Sequence, residues 1–169
     1  MITPGYVRTM AAYNAEMNHR LYAAADRLGD AERRADRGAF WSSIHGTLCH
    51  LVWGDQIWMS RFAGWPKPPG VQRDSAAMIA DWDELRRARV EADAGITAWA
   101  AAVDEAWLAG DLTWFSGGAQ KELRRPRALL LMHFFNHQTH HRGQAHALLT
   151  AAGQETGATD LMVLVRGTE

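Results

Sequence analysis

Cysteine is almost missing from this 169-residue chain. Cys49 stands alone, so no intramolecular disulfide framework can form, and a reducing, cytoplasmic setting is expected. Long apolar runs are absent: no stretch approaches 18 consecutive apolar residues, which excludes a membrane-spanning helix. The N-terminus carries no charged-then-apolar signal segment. Excess charge is lacking too. Eighteen basic residues face nineteen acidic ones, a net charge of −1, so there is no electrostatic case for nucleic acid. The short run Arg124, Arg125, Arg127 reads as a solvated face or loop. The 47% hydrophobic and 22% charged fractions are those of a soluble globular chain, and the length suits one domain over residues 1–169. No internal repeat or low-complexity tract is present.

Proline is also scarce, and its five positions punctuate the chain. Thr3-Pro4 starts a first helix that should run to about Leu28, before Gly29. Ser42-Ser43 caps a second, which ends near Gly64. The stretch Gly64-Trp65-Pro66-Lys67-Pro68-Pro69-Gly70 breaks it. Ser75 caps a long third helix to about Val103. Pro126 opens a fourth at its first turn, and Gly153 stops it. Between the third and fourth, Leu112-Thr113-Trp114-Phe115, the turn Ser116-Gly117-Gly118 and Lys121-Glu122-Leu123 form a small β-hairpin or an irregular loop. The segment Leu161–Val165 reads as a terminal strand or turn. Four long helices imply an all-α fold, a helical bundle.

Histidine and tryptophan are what this chain has in quantity: eight of each. Five histidines lie on the fourth helix. His137 and His141 stand four apart, which stacks them on one helical face, where two imidazoles can grip one divalent metal ion. With His137 as zero on a helical wheel, Leu130 and Leu148 fall near about +20°, His141 near +40° and Phe134 near +60°. Both histidines therefore sit inside the apolar stripe and must be hydrogen-bonded or ligated, because a buried unpaired polar group costs roughly 1–3 kcal/mol. His133 and His140 lie at the edge of the stripe. His146 falls opposite and should be solvated. On the second helix, His50 faces inward between small residues, with Gly46 near about −40° and Gly54 near +40°. His45 points away. Three histidines from two facing helices would leave a coordination position open, as in a catalytic site, and nitrogen donors suit zinc, nickel, iron or copper.

Possible partners for the other ring nitrogens are Gln144, near about −20° on the histidine face, and Asn136 from the preceding turn. His133 reads as a capped core histidine, with a fourth ligand or a proton shuttle as alternatives. Arg142 points away from the site, toward an acid or an interface. Cys49 lies about 100° from His50 and reads as a buried, inert thiol. Most tryptophans should be core or interface; Trp53 and Trp58 flank the inner face of the second helix, where they either line a pocket beside the metal or serve in plain bundle packing. A di-iron carboxylate bundle needs two Glu-x-x-His motifs. Glu16-Met17-Asn18-His19 is the single match, and no His-Glu-x-x-His motif is present.

A histidine on the second helix, His50, followed far downstream by Asn136-His137-x-x-x-His141-Arg142-Gly143-Gln144, resembles the DinB/YfiT-like family of metalloenzymes over essentially the whole chain. His133 and Asp160-Leu161-Met162 suit it as well. The resemblance implies a four-helix bundle of up-down-down-up order, usually a homodimer, with His50, His137 and His141 as metal ligands. It also implies a small-molecule reaction of thiol-dependent S-transferase or isomerase type, using a low-molecular-weight thiol such as mycothiol or bacillithiol. The alternative is a non-catalytic metal-binding or stress-related interaction protein with a structural metal.

Overall fold

The computed structural model describes residues 2–164. Thr3 caps α1 (Pro4–Ala25), its Oγ1 accepting from the Tyr6 amide at 3.1 Å. The helix stops three residues short of Leu28. A short α2 (Asp30–Arg34) follows, and its buried Arg33 reaches back to the Ala25 and Leu28 carbonyls, satisfying acceptors that the helix end leaves open. Ser43 caps α3 (Ile44–Phe62). The expected third helix starts later than its sequence suggests. Residues Gln72–Ala77 form a 3₁₀ turn, and α4 (Trp82–Ala102) begins after Asp81, whose carboxylate accepts from the Glu84 amide at 2.8 Å. Asp81 is the better cap because Asp83 and Glu84 follow it, acids that favour a helix N-terminus.

A short α5 (Glu105–Ala109) leads into the hairpin, β1 (Asp111–Ser116) paired antiparallel with β2 (Lys121–Pro126), Leu112 opposite Arg125 and Ser116 opposite Lys121. Pro126 ends β2 and precedes α6 (Arg127–Ala151), so it stands one residue before the helix and not within its first turn. Gly153, at φ +77°, stops the chain in the left-handed region, and the Gln154 amide returns to the Leu149 carbonyl. The terminal apolar segment forms a short α7 (Leu161–Leu164) instead of a strand, and Val165 lies outside the described residues.

Four helices build the bundle. α1 packs on α4 and α6, and α3 packs on the same two. Pairs of contacts give the directions. Asn18 meets Asp93 while Asp26 meets Trp82, so α1 and α4 are antiparallel. His50 meets His141 while Phe62 meets Phe134, so α3 and α6 are antiparallel. Asp55 meets Arg89 while Phe62 meets Trp99, so α3 and α4 are parallel. The order is up-down-down-up, an all-α four-helix bundle with an appended hairpin. No helix among the described residues is long and apolar enough to cross a membrane.

The core has two apolar halves. One gathers Leu21, Ile44, Leu48, Leu85 and Leu149, the other Val7, Met59, Ile96, Leu131 and Phe134. Between them, at one level on each of the four helices, lies a buried polar layer. Arg89 Nη1 donates to Asp55 Oδ2 at 2.6 Å and Nη2 to Asp93 Oδ1 at 2.8 Å. Asn14 and Asn18 donate to Asp93, and Gln138 Nε2 donates to Asp55 Oδ1 at 2.8 Å. Such a layer adds little net stability over an apolar one. A helix that slipped along its neighbour, however, would strand a buried charge, which disfavours other registers.

Candidate metal centre

The polar layer sets the level at which α3 and α6 meet, because Asp55 and Gln138 each follow directly on a residue of the site. Gly54 and His137 are those residues. A Cβ built on Gly54 would lie 2.7 Å from His137 Cε1, closer than real Cβ contacts come, so the missing side chain is the space that the imidazole fills. One turn earlier on α3, His50 is 1% exposed. Its ring centroid lies 5.2 Å from that of His137 and 4.5 Å from that of His141, and the last two are 4.5 Å apart. One ring nitrogen from each of the three falls within 4.8 Å of the others.

Hydrogen bonds decide which nitrogens face the centre. Ser75 Oγ donates to the Gln72 carbonyl at 2.6 Å, so at 2.7 Å from His50 Nδ1 it accepts the ring N–H. His141 Nδ1 lies 2.7 Å from Gln144 Oε1, an acceptor only. Both rings therefore carry their proton on Nδ1 and turn a bare Nε2 inward. His50 Nε2 and His137 Nε2 face each other at 3.2 Å. Two nitrogens about 2.05 Å from a tetrahedral zinc ion would be about 3.3 Å apart, so the pair has the spacing of two ligands. His137 Nδ1 is buried without a partner. The donor set fits a divalent transition metal.

The electrostatics favour the metal-binding form. Burial first, then the charges of His141 and His137, push His50 down to about 3, and burial with the neighbouring histidines does the same to His137. Burial also lowers His141, opposed by the Gln144 hydrogen bond. All three are neutral at pH 7, the state in which imidazole ligates a metal. No carboxylate among the described residues makes a hydrogen bond to the triad.

The remaining residues singled out in the sequence fall as follows. Gln144 holds His141, as its place on the wheel suggested. Asn136 is exposed and makes no hydrogen bond to the triad among the described residues. His133 is exposed instead of capped in the core. It stands edge-on to Trp58 at 5.1 Å, 6.0 Å from His137. His45 is buried away from the site, with Nε2 2.8 Å from the Ile79 carbonyl. His146, expected in solvent, is half-buried and bonded to Thr156 because the chain after Gly153 folds back over it. Arg142 is buried; it donates to the Asn14 amide oxygen and lies over Tyr13, and among the described residues it makes no direct ion pair, although the charges of Asp55 and Asp93 act on it. Cys49 is buried against Ile79, its thiol pushed up by burial, as an inert cysteine should be. Glu16 pairs with Arg20, and His19 is exposed.

Two contributors escaped sequence reasoning. Ser75 looked like a helix cap and is the acceptor that orients His50. The stronger cap at Asp81 was the signal that freed it. Trp41 stacks on His50 at 4.0 Å and 22°, while Trp53 lies on the ring at 6.1 Å and 21°. Trp41 is held by the turn at Ser42, whose φ is +61°. Nothing local in the sequence marks that turn.

The sequence matches the DinB family model over residues 1–168. No curated protein and no solved structure matches the chain. With the family match spanning nearly its whole length, and with a buried histidine triad that could hold a metal ion, the chain belongs to the DinB family.

Proposed function

We propose that the chain is a metal-dependent enzyme of S-transferase or isomerase type that works on a low-molecular-weight thiol. His50, His137 and His141 present their Nε2 atoms to one divalent ion of zinc, nickel or iron. The reading is carried by one observation: three imidazoles from two helices converge with at least two bare Nε2 atoms inward, oriented by Ser75 and Gln144. A divalent ion at that point supplies Lewis acidity, which lowers the pKa of a coordinated thiol or water. Hydrolysis is the weaker reading because the buried acid nearest in sequence, Asp55, is already committed to Arg89 and Gln138. The chain's own residues hold the ligands neutral, fix their tautomers and, through Trp41 and Trp53, shield one side of His50 from water.

Elemental analysis of untagged protein tests this. About one equivalent of transition metal is expected, since three ligands define one site. His141→Ala should lose it while the bundle stays helical, and thiol conjugates should form with some electrophiles in a screen. Unchanged metal content in His141→Ala refutes the site. Metal without any conjugate would assign a structural or sensing role instead. Family membership also suggests a homodimer, which light scattering would test.

A further inference from the structure

The face of α3 that carries His50 and Gly54 continues to Trp58 and Arg61, and the face of α6 that carries His141 and His137 continues to His133. At the far end of this shared face the hairpin closes over the helices. Trp114 meets Trp58 at 6.0 Å. The Arg61 guanidinium sits 4.5 Å over the Trp58 ring and 5.6 Å from the Trp114 ring. Among the described residues it has no carboxylate partner and no hydrogen bond, although other arginines here, such as Arg20, Arg34, Arg89 and Arg124, are paired with acids. Arg61 is half-buried, and its charge acts on His133, which neighbours His137. A guanidinium stacked on aromatic rings has its plane fixed and its donors free, which is the state that accepts a carboxylate in bidentate fashion.

We propose that Arg61, clasped by Trp58 and Trp114, binds a carboxylate at the distal end of the substrate whose thiol lies at the histidine triad. This rests on the thiol reading above and specifies its substrate: an extended thiol acid. Arg61 follows Gly54, which abuts the His137 ring, by seven residues, about 10 Å of helix, and that sets the scale of the separation between sulfur and carboxylate. His133, Trp58 and Trp114 line the stretch between them.

Calorimetric titration of zinc-loaded protein with mercaptooctanoic acid, mercaptooctanol and octanoic acid tests the proposal. The mercapto acid should bind about tenfold or more tightly than the mercapto alcohol, the usual worth of hydrogen bonds to a charged group. That preference should vanish in Arg61→Gln and survive, weakened, in Arg61→Lys, with zinc affinity unchanged and the helical fold retained at the assay temperature in both. Equal binding of acid and alcohol, or a preference untouched by Arg61→Gln, overturns the Arg61 site and leaves the metal centre standing. A mercapto acid no tighter than octanoic acid overturns the thiol reading instead. In that case a loss of octanoate affinity in Arg61→Gln upholds the carboxylate site, and an unchanged affinity removes it.

Discussion

Replacing Gly54 by alanine isolates the contact on which the site's geometry turns. The new Cβ would stand 2.7 Å from His137 Cε1 and 3.3 Å from Nδ1. Real contacts do not come under 3.0 Å and ordinary ones begin at 3.4 Å, so the ring must retreat by about 0.3–0.7 Å. Metal–nitrogen distances tolerate only about 0.2 Å, so the displaced Nε2 can no longer share an ion with His50 and His141 in good geometry. A loss of metal affinity of about tenfold to a hundredfold is expected, the range seen when ligand orientation is disturbed. Stability should move far less. Alanine gains about 1 kcal/mol of helix propensity, and crowding costs about 1–3 kcal/mol, so the two largely offset each other. Zinc affinity by competition with a chelator, and unfolding of the metal-free protein by circular dichroism, separate the two effects. Wild-type zinc affinity in Gly54→Ala would refute the placement of His137 as a ligand.

Gly143 lies within the same histidine-rich helix, but a Cβ there meets nothing within 4 Å, so Gly143→Ala should stabilise by about 0.5–1 kcal/mol and leave metal affinity untouched, as melting and chelator competition would report. Ser75→Ala removes the acceptor of His50 Nδ1–H and should weaken metal binding about tenfold, with Ser75→Thr restoring it. Asp55→Ala leaves Arg89 its pair with Asp93 but removes the acceptor of Arg89 Nη1 and of Gln138 Nε2 in the buried layer; it should cost about 1–3 kcal/mol in denaturant unfolding, a larger loss than a surface ion pair such as Arg124–Asp111 would give. Acid should destabilise the metal-free protein. The unfolded chain protonates His50 and His137 near 6.5 and the folded one near 3, so stability is complete above pH 6.5 and falls as pH drops below it. The melting temperature should decline from pH 6.5 to 5, less steeply in His137→Asn, and an equal slope in that variant would contradict the assignment.

Much of the bundle can be read locally because a helix encodes its own ends and faces. Thr3, Ser43 and Gly153 satisfy or stop backbone groups within a few residues, and no distant partner is needed. The hairpin showed itself in the aromatic run at Leu112–Phe115 and the glycines after it. Where the reading slipped, at Ser75 and Leu28, a nearby competitor decided the boundary: the Asp81 cap in one case, the Arg33 side chain turning back on α1 in the other.

The chain alone determined that His137 and His141 share a face and that His50 looks inward, since those follow from a rise and rotation fixed per residue. Only the tertiary structure decided that the two faces meet, that Ser75 completes the site from a 3₁₀ turn, that Trp41 stacks on His50, and that Arg61 stands against Trp58 and Trp114 at the far end of the same face. Most of those relations join residues separated by tens of positions, and their level along the helices is set by buried charges on Asp55, Arg89 and Asp93 that must find one another across the core. Periodicity carries no information about that register, because every slip of one helix along another preserves the pattern within each.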